Sequence, residues 1–149
     1  MKKTPEMKKH GDSCCAVDFG PFQDLNDYGS ALPGVPAKVE SKIFIKELLE
    51  LTSTEISINK MPPGQVLPTH HKHQMNEEVY IFIGGEGEFQ VDGIIFDVTE
   101  GSVVRVGPAG ERSWRNTGSK DLLYIVVQAR EGSYDQGGLM DRVPLIRQW

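Results

Sequence analysis

The sequence predicts an all-β sandwich or barrel, and three observations carry that expectation. From residue 54 onward, β-branched and aromatic runs recur roughly every 8 to 12 residues, with turn formers between them. The 149 residues include 16 Gly and 9 Pro, which suits a turn-rich β fold better than a helix bundle. A helical period is faint. Only "SKIFIKELLELTS", apolar at 43, 44, 45, 48, 49 and 51, reads as a short strand or turn leading into one or two helical turns.

The elements follow in chain order. Residues 1–40 show little periodicity. Their basic start, "MKKTPEMKKH", reads as a solvated tail. "DFGPFQDLNDYGSALPGVPAKVES" is an N-terminal arm, partly flexible, whose Phe19, Phe22 and Tyr28 are expected to pack on the domain or on a second subunit. "TEISINKM" alternates, with Ile56 and Ile58 on one face and Glu55, Ser57 and Asn59 on the other. "MPPG" breaks that strand. "EEVYIFI" predicts a strand buried on both faces. "GGEGEFQVDG" supplies a turn, a strand and a hairpin turn, and "IIFDVTEG", "SVVRVGPAG", "RSWRNTG" and "LLYIVVQAR" continue the series. Residues 41–131 are therefore read as one barrel domain. Residues 132–149, ending in the apolar "VPLIRQW", form a tail expected to pack on the barrel or on a partner subunit.

Composition excludes several functions. A net charge of −5 argues against nucleic acid or an anionic membrane as partner. There is no run of about 18 apolar residues for a membrane span, and no apolar stretch follows the N-terminal charges as a secretory signal requires. The two cysteines, Cys14 and Cys15, are neighbours without a third partner, so a disulfide framework is excluded. The expected setting is a reducing cytoplasm.

Three of the four histidines fall in one stretch, "LPTHHKHQMNEEVYIFIGGEGEF", at His70, His71 and His73. In an extended chain, residues two apart share a face, so His71 and His73 point together and His70 points away. "QMNE" is short enough for a turn, which brings Glu77 or Glu78 beside the two imidazoles. Two imidazoles and one carboxylate leave open coordination positions. That set suits Fe(II) and accommodates Zn, Mn, Ni or Cu. "GGEGEF" lacks the lysine and following helix of a phosphate loop and reads as strand–turn–strand.

These residues resemble the first motif of the cupins, H-x-H-x(3,4)-E-x6-G, through His71, His73, Glu78 and Gly85. Glu77 with Gly84 fits as well. Glu78 is preferred because in the cupin pattern the apolar strand follows the ligand directly, as Val79 follows Glu78. Gly64 opens the motif one residue further from His71 than usual. The second cupin motif, G-x5-P-x-G-x2-H-x3-N, finds Gly101, Pro108, Gly110 and Asn116 in "GSVVRVGPAGERSWRN". Pro108 comes one residue late, the loop before Asn116 is one residue short, and Arg112 stands in the histidine's place. The resemblance spans roughly residues 54–130. It implies a single antiparallel double-stranded β-helix, or jelly roll, with the site inside one mouth. It also implies a divalent metal (Fe, Mn, Zn or Ni) on His71, His73 and Glu78, and a homodimer.

Arg112 bears on all of this. An arginine does not ligate metal and stays charged. Its repulsion from a dication about 5 Å away is roughly 7 kcal/mol at an effective dielectric near 20. Three arrangements answer that. Arg112 turns outward to a surface acid, pairs inside with Glu77 or Glu78 in a metal-free site, or holds an anion that bridges it to the metal. The third motivates a small, anionic ligand bound by Arg112, with Tyr80 and Gln128 as further ligand contacts, Tyr80 and Arg112 as candidate catalytic groups, and Arg105 as a weaker candidate. Three functions follow, one of them a structural dimer with a vestigial pocket, and two of them use the site. One is a metal-dependent cupin acting on a small anionic metabolite, as an isomerase or oxygenase. The other is a metal-free ligand-binding or sensing cupin in which Arg112 replaces the metal histidine. Trp114 is expected to pack, Arg115 to be a surface charge and Met75 to fill a loop.

Overall fold

The structure, a computed structural model, describes residues 3, 5–30, 39–134 and 138–146. Residues 31–38 of the arm and 147–149 of the tail lie outside the described residues. Twelve strands are found among the described residues: β1 Met7–Lys9, β2 Cys15–Val17, β3 Gly29–Ser30, β4 Val39–Glu40, β5 Lys42–Phe44, β6 Glu55–Met61, β7 Asn76–Gly84, β8 Glu86–Val91, β9 Ile94–Thr99, β10 Val103–Val106, β11 Arg112–Asn116 and β12 Leu122–Arg130. A 3-10 turn at Phe22–Asp27 precedes β3 and another at Gly138–Asp141 follows β12. The all-β expectation holds. "SKIFIKELLELTS" forms β5 and a single turn closed by Leu49 N–H donating to Ile45 C=O.

Two antiparallel sheets make the barrel. One has the order β10-β7-β12-β6-β5, the other β11-β8-β9. The second sheet is lengthened by isolated bridges, Val66 to Arg115 and His71 to Arg112. Between β7 and β8, Gly85 sits at φ 82°, and a Cβ there would stand 2.4 Å from the carbonyl oxygen of Asp121. Glycine thus lets that turn lie directly against the start of β12.

Alternation on β7 sorts its side chains cleanly. Glu78, Tyr80 and Phe82 are buried inward, while Val79, Ile81 and Ile83 on the outer face are only half-buried. The expectation of a strand buried on both faces is corrected to one buried face, because the apolar cover of the outer side lies over β5 and β6 instead. That cover comes from the N-terminal residues. Phe19, Leu25 and Tyr28 cluster with Ile43, Ile45 and Ile58, with Phe22 packed against them. The basic start is not wholly a loose tail, since β1 pairs with β2. Of the tail, Val143, Leu145 and Ile146 are exposed.

The covered outer face fixes what β6 turns inward. Ile56 and Ile58 go under the arm, so Ser57, Asn59 and Met61 face the barrel. The interior is consequently of two kinds. One end is filled by aromatic packing, with Trp114 stacked on Phe89 at 5.5 Å and Tyr80 edge-on to Trp114 at 5.0 Å. The other end keeps polar groups and a cavity. No helix among the described residues is long and apolar enough to cross a membrane.

Candidate metal and ligand site

The site is set by one bridge and one strand. His71 N–H donates to Arg112 C=O at 3.1 Å and Arg112 N–H returns the bond to His71 C=O at 2.9 Å. Two residues on, His73 N–H donates to Pro108 C=O at 3.0 Å. Although 67–73 is not a regular strand, these bonds hold it extended, and the two imidazoles share a side with ring centres 5.6 Å apart. His70 points the other way, to Gln90 Oε1 beside a shallow recess of about 180 Å³ on the outer face.

β7 brings the carboxylate. His73 Nε2 lies 3.2 Å from Glu78 Oε1, and His71 Nε2 lies 3.8 Å from Glu78 Oε2. One donor atom from each of His71, His73 and Glu78 falls within 4.8 Å of the others. Glu77, its neighbour, is outside, ion-paired with Arg105, which also reaches Glu131 at 2.8 Å. The strand's alternation thus separates the two acids, and Arg105 is a surface residue. Two imidazoles and a carboxylate fit a divalent transition metal.

Arg112 is fully buried and pairs inside. Its Nη2 lies 3.0 Å from Glu78 Oε2 and its Nη1 donates to Gly110 C=O at 2.9 Å. The contact to Glu78 has the distance of an ion pair but not the angle of a hydrogen bond. Nη2 and Nε therefore lack an acceptor among the described residues, and charge attraction holds the pair. Tyr80 Oη donates to Glu78 Oε2. Gln128 Nε2 lies 3.0 Å from His73 Nε2 and 3.4 Å from Glu78 Oε1. Of the residues read from the sequence, His71, His73, Glu78, Tyr80, Arg112 and Gln128 are brought together. Trp114 packs and donates to Tyr124 Oη at 3.0 Å, Arg115 pairs with Glu88 on the surface, and Met75 is exposed.

These contacts favour the ionised form of Glu78. Burial alone raises the pKa of its carboxyl. The opposing contacts from His71 and Tyr80, with the charges of His73 and Arg112, outweigh burial and lower it from 4.5 to about 2. Tyr80 moves the other way, pushed above its ordinary value by burial and then by the Glu78 charge, so it remains a neutral hydroxyl. A stability consequence follows for the metal-free protein. Above the unfolded value of 4.5 both states hold Glu78 ionised, and its favourable contacts count in full. As pH falls through 4.5 towards about 2, the unfolded chain takes up the proton first and the fold loses about 3 kcal/mol from this group. Denaturation between about pH 6 and pH 2 is expected to show that slope, reduced by this amount in Glu78→Gln. An unchanged slope in the variant would assign the acid sensitivity to other carboxylates.

A cavity of about 380 Å³ opens beside the group, within the size range of small-ligand pockets. Its walls include His71, Glu78, Tyr80 and Asn59, and also Ser41 and Lys42 from the β5 end. Gln128 and Arg112 lie behind the wall, in contact with the donors. The β5 and β6 contributors were not read as site residues from the sequence. The signal was the polar face of "TEISINKM", which looks solvent-facing until the arm is seen to cover the isoleucines.

Residues 57–128 match the family described as "Cupin domain". The chain belongs to the cupin superfamily. A cupin protein from Bacteroides fragilis aligns over 75% of this chain and 95% of its own length, at 27% identity and a TM-score of 0.68. A Thermotoga maritima protein named oxalate-binding protein is 29% identical over 99 residues, 66% of this chain and 81% of that protein. A solved structure from the same organism, described as a predicted oxalate decarboxylase, is similar at 28% identity and a TM-score of 0.55, over 63% of this chain and 82% of that one. In this cupin, Asn116 of the second motif is a structural tie. It donates to the carbonyls of Met61 and Lys120, both at 2.8 Å, and accepts from Gly118 N–H. Arg112, at the motif's histidine position, is turned to the carboxylate of Glu78.

Proposed function

We propose that this cupin holds a divalent transition metal on His71, His73 and Glu78 and binds a small anionic ligand in the adjoining cavity. The observation that carries the reading is the convergence of three donor atoms, one from an ionised carboxylate, beside a cavity of about 380 Å³ whose wall includes His71 and Glu78. The relative named for oxalate binding supports a small carboxylate as the ligand. A metal bound there supplies a Lewis-acid contact to a ligand oxygen. The chain's own residues do the rest. Arg112 fixes the Glu78 carboxylate through Oε2, leaving Oε1 turned to His73. Tyr80, neutral and donating to the same carboxylate, orients it further. Gln128 holds His73 from behind. Isomerase or oxygenase chemistry would use the open metal positions.

The second reading is a metal-free binding domain, favoured by the Arg112–Glu78 ion pair, which already neutralises the carboxylate. Elemental analysis of protein purified without a histidine tag separates the two. Metal near one per chain, as purified or after challenge with Fe(II), Mn(II), Zn(II) and Ni(II), is expected. Protein that stays metal-free through all four supports the second reading and ends the first.

A further inference from the structure

Lys42 is a cavity residue whose charge the site described so far leaves unused. It enters from outside the family-matched residues 57–128. Ser41, at φ 59°, turns the chain just before it. Lys60 N–H donates to Ser41 C=O at 2.9 Å, which fixes the register that sets Lys42 opposite Asn59. Directly opposed residues of an antiparallel pair share a face. Asn59 faces the interior, where its amide donates to Tyr124 C=O at 3.3 Å. Lys42 is therefore on the cavity face of β5, and it is a wall residue.

Its side chain leans towards the metal group. Across the sheet, Phe82, Tyr124, Asn59 and Lys42 form one row, and Tyr80, Val126, Ser57 and Phe44 the next row towards Glu78. Lys42 Nζ lies over the Phe44 ring, 4.7 Å from its centre, so the ammonium has moved one row nearer the donors. It has no ion pair or hydrogen bond among the described residues. The other cavity lysine, Lys60, is tied to Asp121 at 3.2 Å and to Gln23 C=O. Burial lowers the pKa of Lys42, and the charges of Glu78 and then Glu55 pull the other way. A half-buried cation within the field of the site carboxylate is thus left without a counter-anion of its own.

We propose that Lys42 is a second anchor for the ligand. Its ammonium takes the anionic group that is distal to the one held at the His71, His73 and Glu78 centre, so the cavity favours molecules with two anionic groups over those with one. Arg112 does not fill this role, because its guanidinium is fully buried and turned to Glu78. The inference rests on the ligand-binding reading above and adds the ligand class, short dicarboxylates.

The test is calorimetric titration of untagged protein, as purified and after Mn(II) loading, with oxalate, malonate and succinate against acetate. Wild type is expected to bind at least one dicarboxylate ten-fold or more tighter than acetate. Lys42→Met is expected to weaken that dicarboxylate roughly 10- to 100-fold, with acetate binding and metal content unchanged. Lys42→Gln serves as a second neutral variant, and Lys42→Arg is expected to retain most of the affinity. Dicarboxylate binding undiminished in both neutral variants overturns the role of Lys42 while leaving the ligand reading in place. Equal weakening of acetate and dicarboxylate overturns the distal anchor. A wild type that binds none of the dicarboxylates overturns the anionic-ligand reading, and this inference with it.

Discussion

Replacing Glu78 with alanine in the metal-free protein is expected to cost about 3–5 kcal/mol of folding stability. The loss comes from what remains behind. Arg112 is fully buried and Glu78 is the anion paired with it. A lysine stranded in this way would shed its proton, but a guanidinium does not at any ordinary pH. Its charge would stay in the interior with one good hydrogen bond, to Gly110. The stranded charge predicts a rescue: Glu78→Ala/Arg112→Met removes both charges and keeps most of the volume, so it should recover most of the loss. Urea unfolding of wild type, Glu78→Ala, Arg112→Met and the double variant forms a double-mutant cycle. A single-mutant loss below about 1 kcal/mol would mean that the guanidinium finds water or another acid once Glu78 is gone.

The largest effect on function is expected from His71→Ala/His73→Ala. Removing a group that merely supports a metal ligand costs 10- to 100-fold in affinity. Removing a ligand itself should cost at least about 100-fold, and two together roughly 10,000-fold, which abolishes stoichiometric metal at micromolar concentrations. Both histidines are partly exposed, with side-chain exposures of 36% for His71 and 26% for His73. The substitutions should therefore be tolerated by the fold far better than Glu78→Ala. His70→Ala is the control, since that ring bonds Gln90 on the outer side. Equal metal loss in His70→Ala would place the metal elsewhere on the chain.

The strands from β6 to β12 could be read from the sequence because each alternates or is bounded by Gly, Pro or Asn. His71 and His73 could be read as a pair because parity needs only an extended backbone. Isolated bridges supply that as well as a full strand would. Other features required tertiary information. Which face of "TEISINKM" is interior depends on an apolar cover drawn from residues 19–28 of the arm, so the usual apolar-in rule would have placed Asn59 in water. Whether Arg112 turns outward or to Glu78 depends on the register in which β11 pairs with its sheet neighbour β8. Lys42 sits beside a low-periodicity arm, and nothing local marks it as a cavity residue. The arm itself looked like loose chain because its apolar residues are spread among Gly, Pro and Asp. Leu25 is nonetheless almost wholly buried at 1% exposure.

The apolar cover on β5 and β6 also bears on where the working unit ends. A fragment trimmed to the family-matched residues would lose β5 and everything that shields Ile58. β6 would become a bare edge, with unpaired backbone groups on one side and a greasy face in water, which is a template for aggregation. The wall carrying Ser41 and Lys42 would also be missing, leaving the pocket open to bulk solvent along that side. The segment upstream of the recognisable domain is thus part of the vessel. Swapping it between otherwise similar barrels would exchange the pocket's far wall while leaving the donor triad untouched.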